Sequence, residues 1–186
     1  DGMFAFAIWD EKEKHLFAAR DRFGEKPFFY YFNGKELLFA SEMKALWAAG
    51  IKRIPNQQML FNFITIGYTD NPSQQSETFY ENISKLPPAT ILKYNSKSNE
   101  LVLEKYWDID QDYVNKKITD SEAAEKFTHL FNIAVKRRLR SDVTIGTSLS
   151  GGLDSSSIIS VINELQVMNY KPQAFTATFP GFEKDE

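Results

Sequence analysis

The first hundred residues alternate short apolar runs with polar turns, the rhythm of a strand-rich fold. Phe4, Phe6 and Ile8 interleave with Ala5, Ala7 and Trp9, a period of two with apolar residues on both faces. That pattern predicts a strand buried on both sides. His15 to Arg20 reads as a second strand, and Asp21-Arg22-Phe23-Gly24-Glu25-Lys26-Pro27 as a turn-rich loop. Phe28 to Phe32 and Glu36 to Ala40 flank Asn33-Gly34, the signal of a hairpin with a type I′ turn. Ser41 is placed to cap a helix that runs to Ala49 and stops at Gly50. Pro55 opens a second helix around Gln57 to Ile66. Thr90 to Tyr94 and Glu100 to Trp107 make another hairpin across a Ser/Asn turn.

The pattern changes after Trp107. Asp108 to Lys117 is polar, charged and without strong periodicity, so a linker is placed at residues 109–118. It separates a first domain, 1–108, from a second, 119–186. Thr119-Asp120-Ser121-Glu122 matches a capping box. Ala124, Phe127, Phe131, Ala134, Val135 and Leu139 follow at helical spacing. Lys136, Arg137, Arg138 and Arg140 fall near the end of this helix, where the dipole favours cations on a solvated face. From Val143 the order is strand, glycine loop, helix and strand. Ile158, Ile159, Ile162 and Leu165 give that helix a buried stripe, and Ala174 to Phe179 is the returning strand. This is one βαβ unit, expected to be parallel and right-handed. The fold class is therefore α+β followed by α/β.

Composition narrows the chemistry. The chain has 186 residues, and 42% of them are hydrophobic, enough for folded cores rather than disorder. A formal charge of −3 argues against a general binder of nucleic acid or anionic membranes. No apolar run is long enough to span a bilayer. There is no cysteine, which excludes disulfides and thiol chemistry on this chain. The histidines are His15 and His129, too few for a dedicated Cys/His zinc site. Met3 follows Asp1-Gly2, and the last residues stop just after a strand-like run, so the sequence reads as an internal piece of a longer protein.

The stretch with the most chemistry is Ser150-Gly151-Gly152-Leu153-Asp154-Ser155-Ser156. A strand, a tight glycine turn and a helix N-terminus make a site for phosphate. Glycines let the backbone approach an anion, and the serines add hydroxyl donors. The free N–H groups of the first helical turn and the helix dipole favour negative charge there. No Gly-Lys-Ser/Thr follows, so this is not a Walker-type loop. Asp154 inside the loop makes sense if magnesium lies between it and the phosphates. A serine-glycine turn capping an ordinary helix accounts for the same residues without a ligand.

Ser-Gly-Gly-x-Asp-Ser-Ser also resembles the pyrophosphate loop of the enzymes that cleave ATP between its α and β phosphates. That group includes asparagine, argininosuccinate, GMP and NAD synthetases. The first half narrows the choice. Asp1-Gly2-Met3-Phe4-Ala5-Phe6-Ala7-Ile8-Trp9-Asp10 resembles the glutaminase domain of glutamine-dependent asparagine synthetases. So do Ala19 to Pro27, Ala40 to Leu46 and Leu86-Pro87-Pro88-Ala89, in the same order along the chain. The resemblance implies a strand-rich layer of the N-terminal-nucleophile type, then the start of an adenine-nucleotide α-hydrolase-like domain.

The resemblance further implies asparagine synthesis from aspartate, glutamine and ATP through a β-aspartyl-AMP intermediate. Asp1 matches the acid that binds the α-amino group of glutamine. Ser148, Ser150, Gly151, Gly152, Leu153, Asp154, Ser155, Ser156 and Ala177 match the ATP site, and Asp154 a magnesium ligand. Neither nucleic acid nor membrane is an implied partner; the resemblance carries a cytoplasmic location and admits a homodimer. The family's nucleophile is an N-terminal cysteine, which this chain lacks, so the chain alone is expected to be inactive. Two other readings stand beside this one. One is a β-lactam synthetase-like or other carboxylate-adenylating amidotransferase. The other is a non-catalytic homologue that binds nucleotide or a partner.

Overall fold

The structure is a computed structural model that describes residues 2–165 and 173–181. It has mixed α and β content and divides into two compact units, Asp1–Asp112 and Tyr113–Glu186.

The first unit holds seven strands: β1 (Ala5–Asp10), β2 (His15–Arg20), β3 (Phe29–Phe32), β4 (Leu37–Ala40), β5 (Ser84–Lys85), β6 (Thr90–Asn95) and β7 (Glu100–Lys105). They form two antiparallel sheets, ordered β1-β2-β6-β7 and β4-β3-β5. In the first sheet Ala7 lies opposite Ala18, and Ala18 opposite Leu92. Side chains alternate across a strand, so these residues share a face with Leu16 and Tyr94. That face joins Phe28, Tyr30 and Leu86 in one buried cluster.

β1 departs from its predicted burial. Ala5 and Ala7 pack against the cluster, but Phe6 and Ile8 are 39% and 59% exposed. The register explains this. Ile8 lies opposite Phe17, Phe17 opposite Lys93, and Lys93 opposite Val102. All four point to the face turned away from the cluster. An alternating apolar sequence states that both faces are apolar, not that both are covered.

Two short helices follow in this unit, α1 (Met43–Ala48) and α2 (Gln57–Ile66). The α1 N-cap is Glu42 rather than Ser41, and it makes no side-chain cap bond. Leu46 anchors α1 in the interior. Asn56 caps α2 by accepting from the Met59 N–H at 3.2 Å, and Met59 is fully buried. The Asn33-Gly34 hairpin also differs from expectation. Phe32 pairs with Leu37, so the loop has four residues, Asn33 to Glu36, rather than a two-residue type I′ turn. The Asn33 carboxamide accepts from the Lys35 and Glu36 N–H groups, both at 3.0 Å. This side-chain closure substitutes for the tighter backbone turn.

The second unit contains α3 (Asp120–Arg138), β8 (Gly146–Ser148), α4 (Leu153–Leu165) and β9 (Gln173–Phe175). The Thr119/Glu122 capping box forms in full. Thr119 Oγ1 accepts from the Glu122 N–H at 3.3 Å, and Glu122 accepts from the Thr119 N–H at 2.8 Å. Such a cap is worth about 1 kcal/mol to its helix. Arg138 donates to the Ala134 carbonyl at 3.1 Å, a cation at the helix end where the dipole favours it. β8 and β9 pair in parallel, Gly146 with Gln173 and Ser148 with Phe175. Both strands are shorter than the apolar runs that signalled them. On α4, Ile162 is buried, with Ile158, Ile159 and Leu165 partly so. Among the described residues no helix is long and apolar enough to cross a membrane.

Candidate functional site

The parallel pair places the phosphate-loop candidates at one edge. Chain direction carries β8 out through Ser148 and Leu149 into Ser150, and β9 out through Thr176 into Ala177. The two exits are tied together. The Leu149 N–H donates to the Phe175 carbonyl at 2.9 Å, and Thr176 Oγ1 donates to the Leu149 carbonyl at 2.8 Å. Ser148 lies on β8 and Ala177 two residues past β9, both beside the loop's start. Ligands of parallel sheets bind at such carboxyl edges.

The loop is short and internally bonded. Gly151 adopts φ +81°, a left-handed conformation that side chains disfavour. A Cβ at Gly152 would meet Ser150 Oγ at 3.5 Å. Ser155 Oγ accepts from the Ser150 N–H at 3.3 Å and donates to the Gly152 carbonyl at 3.1 Å. It also lies 3.2 Å from Ser150 Oγ. Ser155 therefore fastens the loop to the first turn of α4. The Ser156 N–H bonds back to the Gly152 carbonyl at 3.1 Å.

Leu153 to Ser156 make that first turn, whose leading N–H groups have no partner within the helix. Leu153 is 83% exposed, and the Asp154 carboxylate is exposed beside it. The arrangement suits a phosphate chain held by backbone N–H groups and hydroxyls. Magnesium takes hard oxygen ligands and commonly uses one carboxylate with substrate phosphates and water. Asp154 is chemically suited to that role. No group of three or more metal-ligating side chains occurs among the described residues. Asp1, the glutamine-binding candidate, lies outside the described residues.

In the first unit the structure reveals a pair that sequence reasoning missed, Arg20 and Asp21. Arg20 sits at the end of β2, and its guanidinium donates to three carbonyls. These are Lys26 at 2.7 Å, Leu86 at 2.6 Å and Gly24 at 2.5 Å. Asp21 is 1% exposed. Its carboxylate accepts from four N–H groups: Lys26 at 3.0 Å, Glu25 at 2.9 Å, Phe23 at 3.2 Å and Phe4 at 3.3 Å. Its backbone N–H donates to the Phe4 carbonyl at 2.8 Å, and its carbonyl accepts from Ala89 at 2.9 Å.

Burial pushes the Asp21 carboxyl upward, but the four donors together outweigh it and hold it below the ordinary range. Burial likewise lowers the Arg20 guanidinium from its ordinary value, with Asp21 opposing that shift. Gly24 is required by closeness as well as by its φ of +68°. A Cβ there would lie 3.0 Å from Pro88 Cγ and 3.1 Å from Arg20 Cζ. A cavity of about 200 Å³ opens beside the pair, lined in part by Gly24, Asp70, Lys85 and Pro88. Lys85 and Asp70 form an ion pair at its wall.

Three separated stretches thus meet at one Arg–Asp pair: the start of β1, the 21–27 loop and Leu86 to Ala89. The signal available in the sequence was a glycine or a proline at each stretch: Gly2, Gly24 with Pro27, and Pro87-Pro88. The sequence profile of the glutamine amidotransferase domain matches residues 1–107, which hold all three. The chain belongs to the glutamine amidotransferase domain family.

Beyond the amidotransferase unit, the asparagine synthase profile matches residues 126–186. Similar proteins carry both parts. Asparagine synthetase 3 (glutamine-hydrolyzing) of Bacillus subtilis is 40% identical over 87% of this chain and 25% of its own length. Asparagine synthetase 2 (glutamine-hydrolyzing) of the same organism is 33% identical over 89% of this chain and 23% of its own. Amidase chry2 of Gibberella zeae is 30% identical over 98% of this chain and 26% of its own. The chain therefore spans about a quarter of the length of these curated relatives.

Proposed function

We propose that the whole protein bearing this chain makes asparagine from aspartate, with glutamine as nitrogen donor and ATP as the activating substrate. The observation that carries the reading is the Ser150–Ser156 loop at the carboxyl edge of the β8–β9 pair, on the same chain as an amidotransferase unit. The relatives named as glutamine-hydrolyzing asparagine synthetases support it.

The chemistry requires activation because a carboxylate is a poor acyl donor. The β-carboxylate oxygen of aspartate attacks the α phosphorus of ATP, and the bond to pyrophosphate breaks. Ammonia from glutamine then attacks the acyl carbon of β-aspartyl-AMP. The carbon–oxygen bond breaks, AMP leaves, and the nitrogen loses a proton. In this reading the backbone of Gly151 to Asp154 and the Ser150 and Ser156 hydroxyls hold the leaving phosphates. Ser155 keeps that loop in shape. Ser148 and Ala177 flank the adenosine. Asp154 helps hold magnesium, which would neutralise charge on the departing pyrophosphate. Asp1 pairs with the α-amino group of glutamine, a charge-assisted contact.

On this reading the first unit is part of an N-terminal-nucleophile-type layer. The second is the opening of an adenine-nucleotide α-hydrolase-like domain, with the linker at residues 109–118. The thiol for glutamine hydrolysis would come from outside this chain, which has no cysteine.

The test supplies the full-length protein with aspartate, ATP and glutamine labelled with 15N at the amide. Labelled asparagine, formed one for one with AMP, is the expected result. ADP in place of AMP, or no product carrying the label, would sink the reading. The alternative is activation of another carboxylate by the same loop. Under it, labelled amide would form on that acid and not on aspartate.

A further inference from the structure

β8 and β9 pair as far as Ser148 and Phe175 and then part, one chain into the phosphate loop and the other into Ala177. The Leu149 N–H still donates to the Phe175 carbonyl at 2.9 Å. In a parallel ladder the next rung would run from the Ala177 N–H to the Leu149 carbonyl. The Thr176 hydroxyl takes that carbonyl instead, donating through Oγ1 at 2.8 Å. Among the described residues the Ala177 N–H has no protein acceptor. One residue past the junction, Ser150 is fastened to α4 by Ser155, so the loop keeps its own shape without help from Thr176.

We infer that Thr176 is a positioning residue for the nucleotide. Its hydroxyl ends the β8–β9 ladder at Leu149 and so keeps the Ala177 N–H available to the nucleoside end of a molecule whose phosphates lie on the Ser150–Ser156 loop. This rests on the reading of that loop as a phosphate cradle given above. Thr176 touches no ligand in this scheme; it acts through the backbone. Valine has nearly the same shape and the same preference for extended backbone, but no donor. Thr176→Val therefore leaves the Leu149 carbonyl open to the Ala177 N–H. The ladder lengthens by one rung, and the donor is withdrawn from the ligand.

The experiment uses the full-length protein and measures asparagine formation with saturating ammonia as the nitrogen source. In Thr176→Val the KM for ATP should rise about three- to tenfold, the scale of one hydrogen bond. The KM for aspartate should stay within about twofold of wild type. So should inhibition by magnesium pyrophosphate, which occupies the loop alone. Thr176→Ser keeps the hydroxyl and should hold the ATP KM within about twofold of wild type. Hydrogen exchange without ATP reads the ladder itself: the amide of Ala177 should exchange more slowly in Thr176→Val than in wild type.

An unchanged ATP KM in Thr176→Val overturns the inference. So does pyrophosphate inhibition that weakens in step with the ATP KM, which would put the effect in the loop rather than at Ala177. A serine variant as impaired as the valine variant, or an Ala177 amide no better protected in Thr176→Val, overturns it as well. If wild type turns over no ATP with aspartate and ammonia saturating, the reading of the loop falls and this inference falls with it.

Discussion

Gly151→Val should abolish ATP-dependent product formation while leaving the first unit folded. Gly151 sits at φ +81°, where a β-branched side chain is strongly disfavoured. A residue with a Cβ costs roughly 1–2 kcal/mol in this region, and valine adds crowding at Cβ. The chain's cheapest escape is to rotate Gly151 to negative φ. That rotation moves the Ser150 N–H away from Ser155 Oγ and the Gly152 carbonyl away from the Ser155 hydroxyl. The cradle opens at the point where phosphates would be held. Product formation with saturating aspartate and ammonia should fall at least a hundredfold, the scale expected when preorganised donors lose their aim. Circular dichroism should change little, because the substitution lies between β8 and α4 and alters no residue of either. A variant that kept wild-type turnover would mean that the loop is a helix cap and nothing more.

Asp21→Ala should cost the first unit several kcal/mol. The substitution leaves the Phe4, Phe23, Glu25 and Lys26 N–H groups without their acceptor. A buried donor left unpaired costs about 1–3 kcal/mol. Water entering the space would recover part of that, so a loss of roughly 3–6 kcal/mol is expected from this scale. The midpoint of urea unfolding measures it.

The sign of the pH dependence follows from the lowered carboxyl. Its ordinary value is 3.8, and the folded value lies below that. The unfolded state therefore binds the proton more tightly. The stabilisation is fully present above the unfolded value and is lost as pH falls through the folded one. Wild type and Asp21→Ala should differ by the same amount at pH 7 and pH 5, and the gap should narrow as pH falls below the ordinary value of 3.8 toward the folded one. A gap independent of pH down to that point would show that the carboxylate's charge is not what holds the loop.

The parts of this molecule that were legible in the sequence are those whose partners lie nearby along the chain. Thr119 and Glu122 cap a helix three residues apart, and the box forms as written. The Gly151-Gly152 turn, the hydroxyls after it and the apolar stripe of α4 are all local signals. The Arg20–Asp21 pair was not legible. Arg20 reaches the Leu86 carbonyl across 66 positions, and Asp21 reaches Phe4 across 17. A charged dipeptide in a turn-rich stretch looks solvated until its partners are brought to it. β1 failed for a related reason. Its alternation is real, but whether Phe6 and Ile8 are covered depends on what lies over the sheet, and the sequence of one strand holds no record of that. The α1 cap and the Asn33-Gly34 turn slipped by one or two residues, the usual scale when neighbouring polar residues compete to end an element.

The central claim is that this chain carries the nucleotide loop of an enzyme that adenylates aspartate. Exchange of labelled pyrophosphate into ATP by the full-length protein tests it most directly, because exchange reports formation of the acyl-adenylate without the nitrogen transfer that follows. The account predicts exchange that needs aspartate, persists without glutamine or ammonia, and disappears in Gly151→Val. Exchange that proceeds equally well without aspartate, or none under any condition with aspartate and ATP saturating, would contradict it.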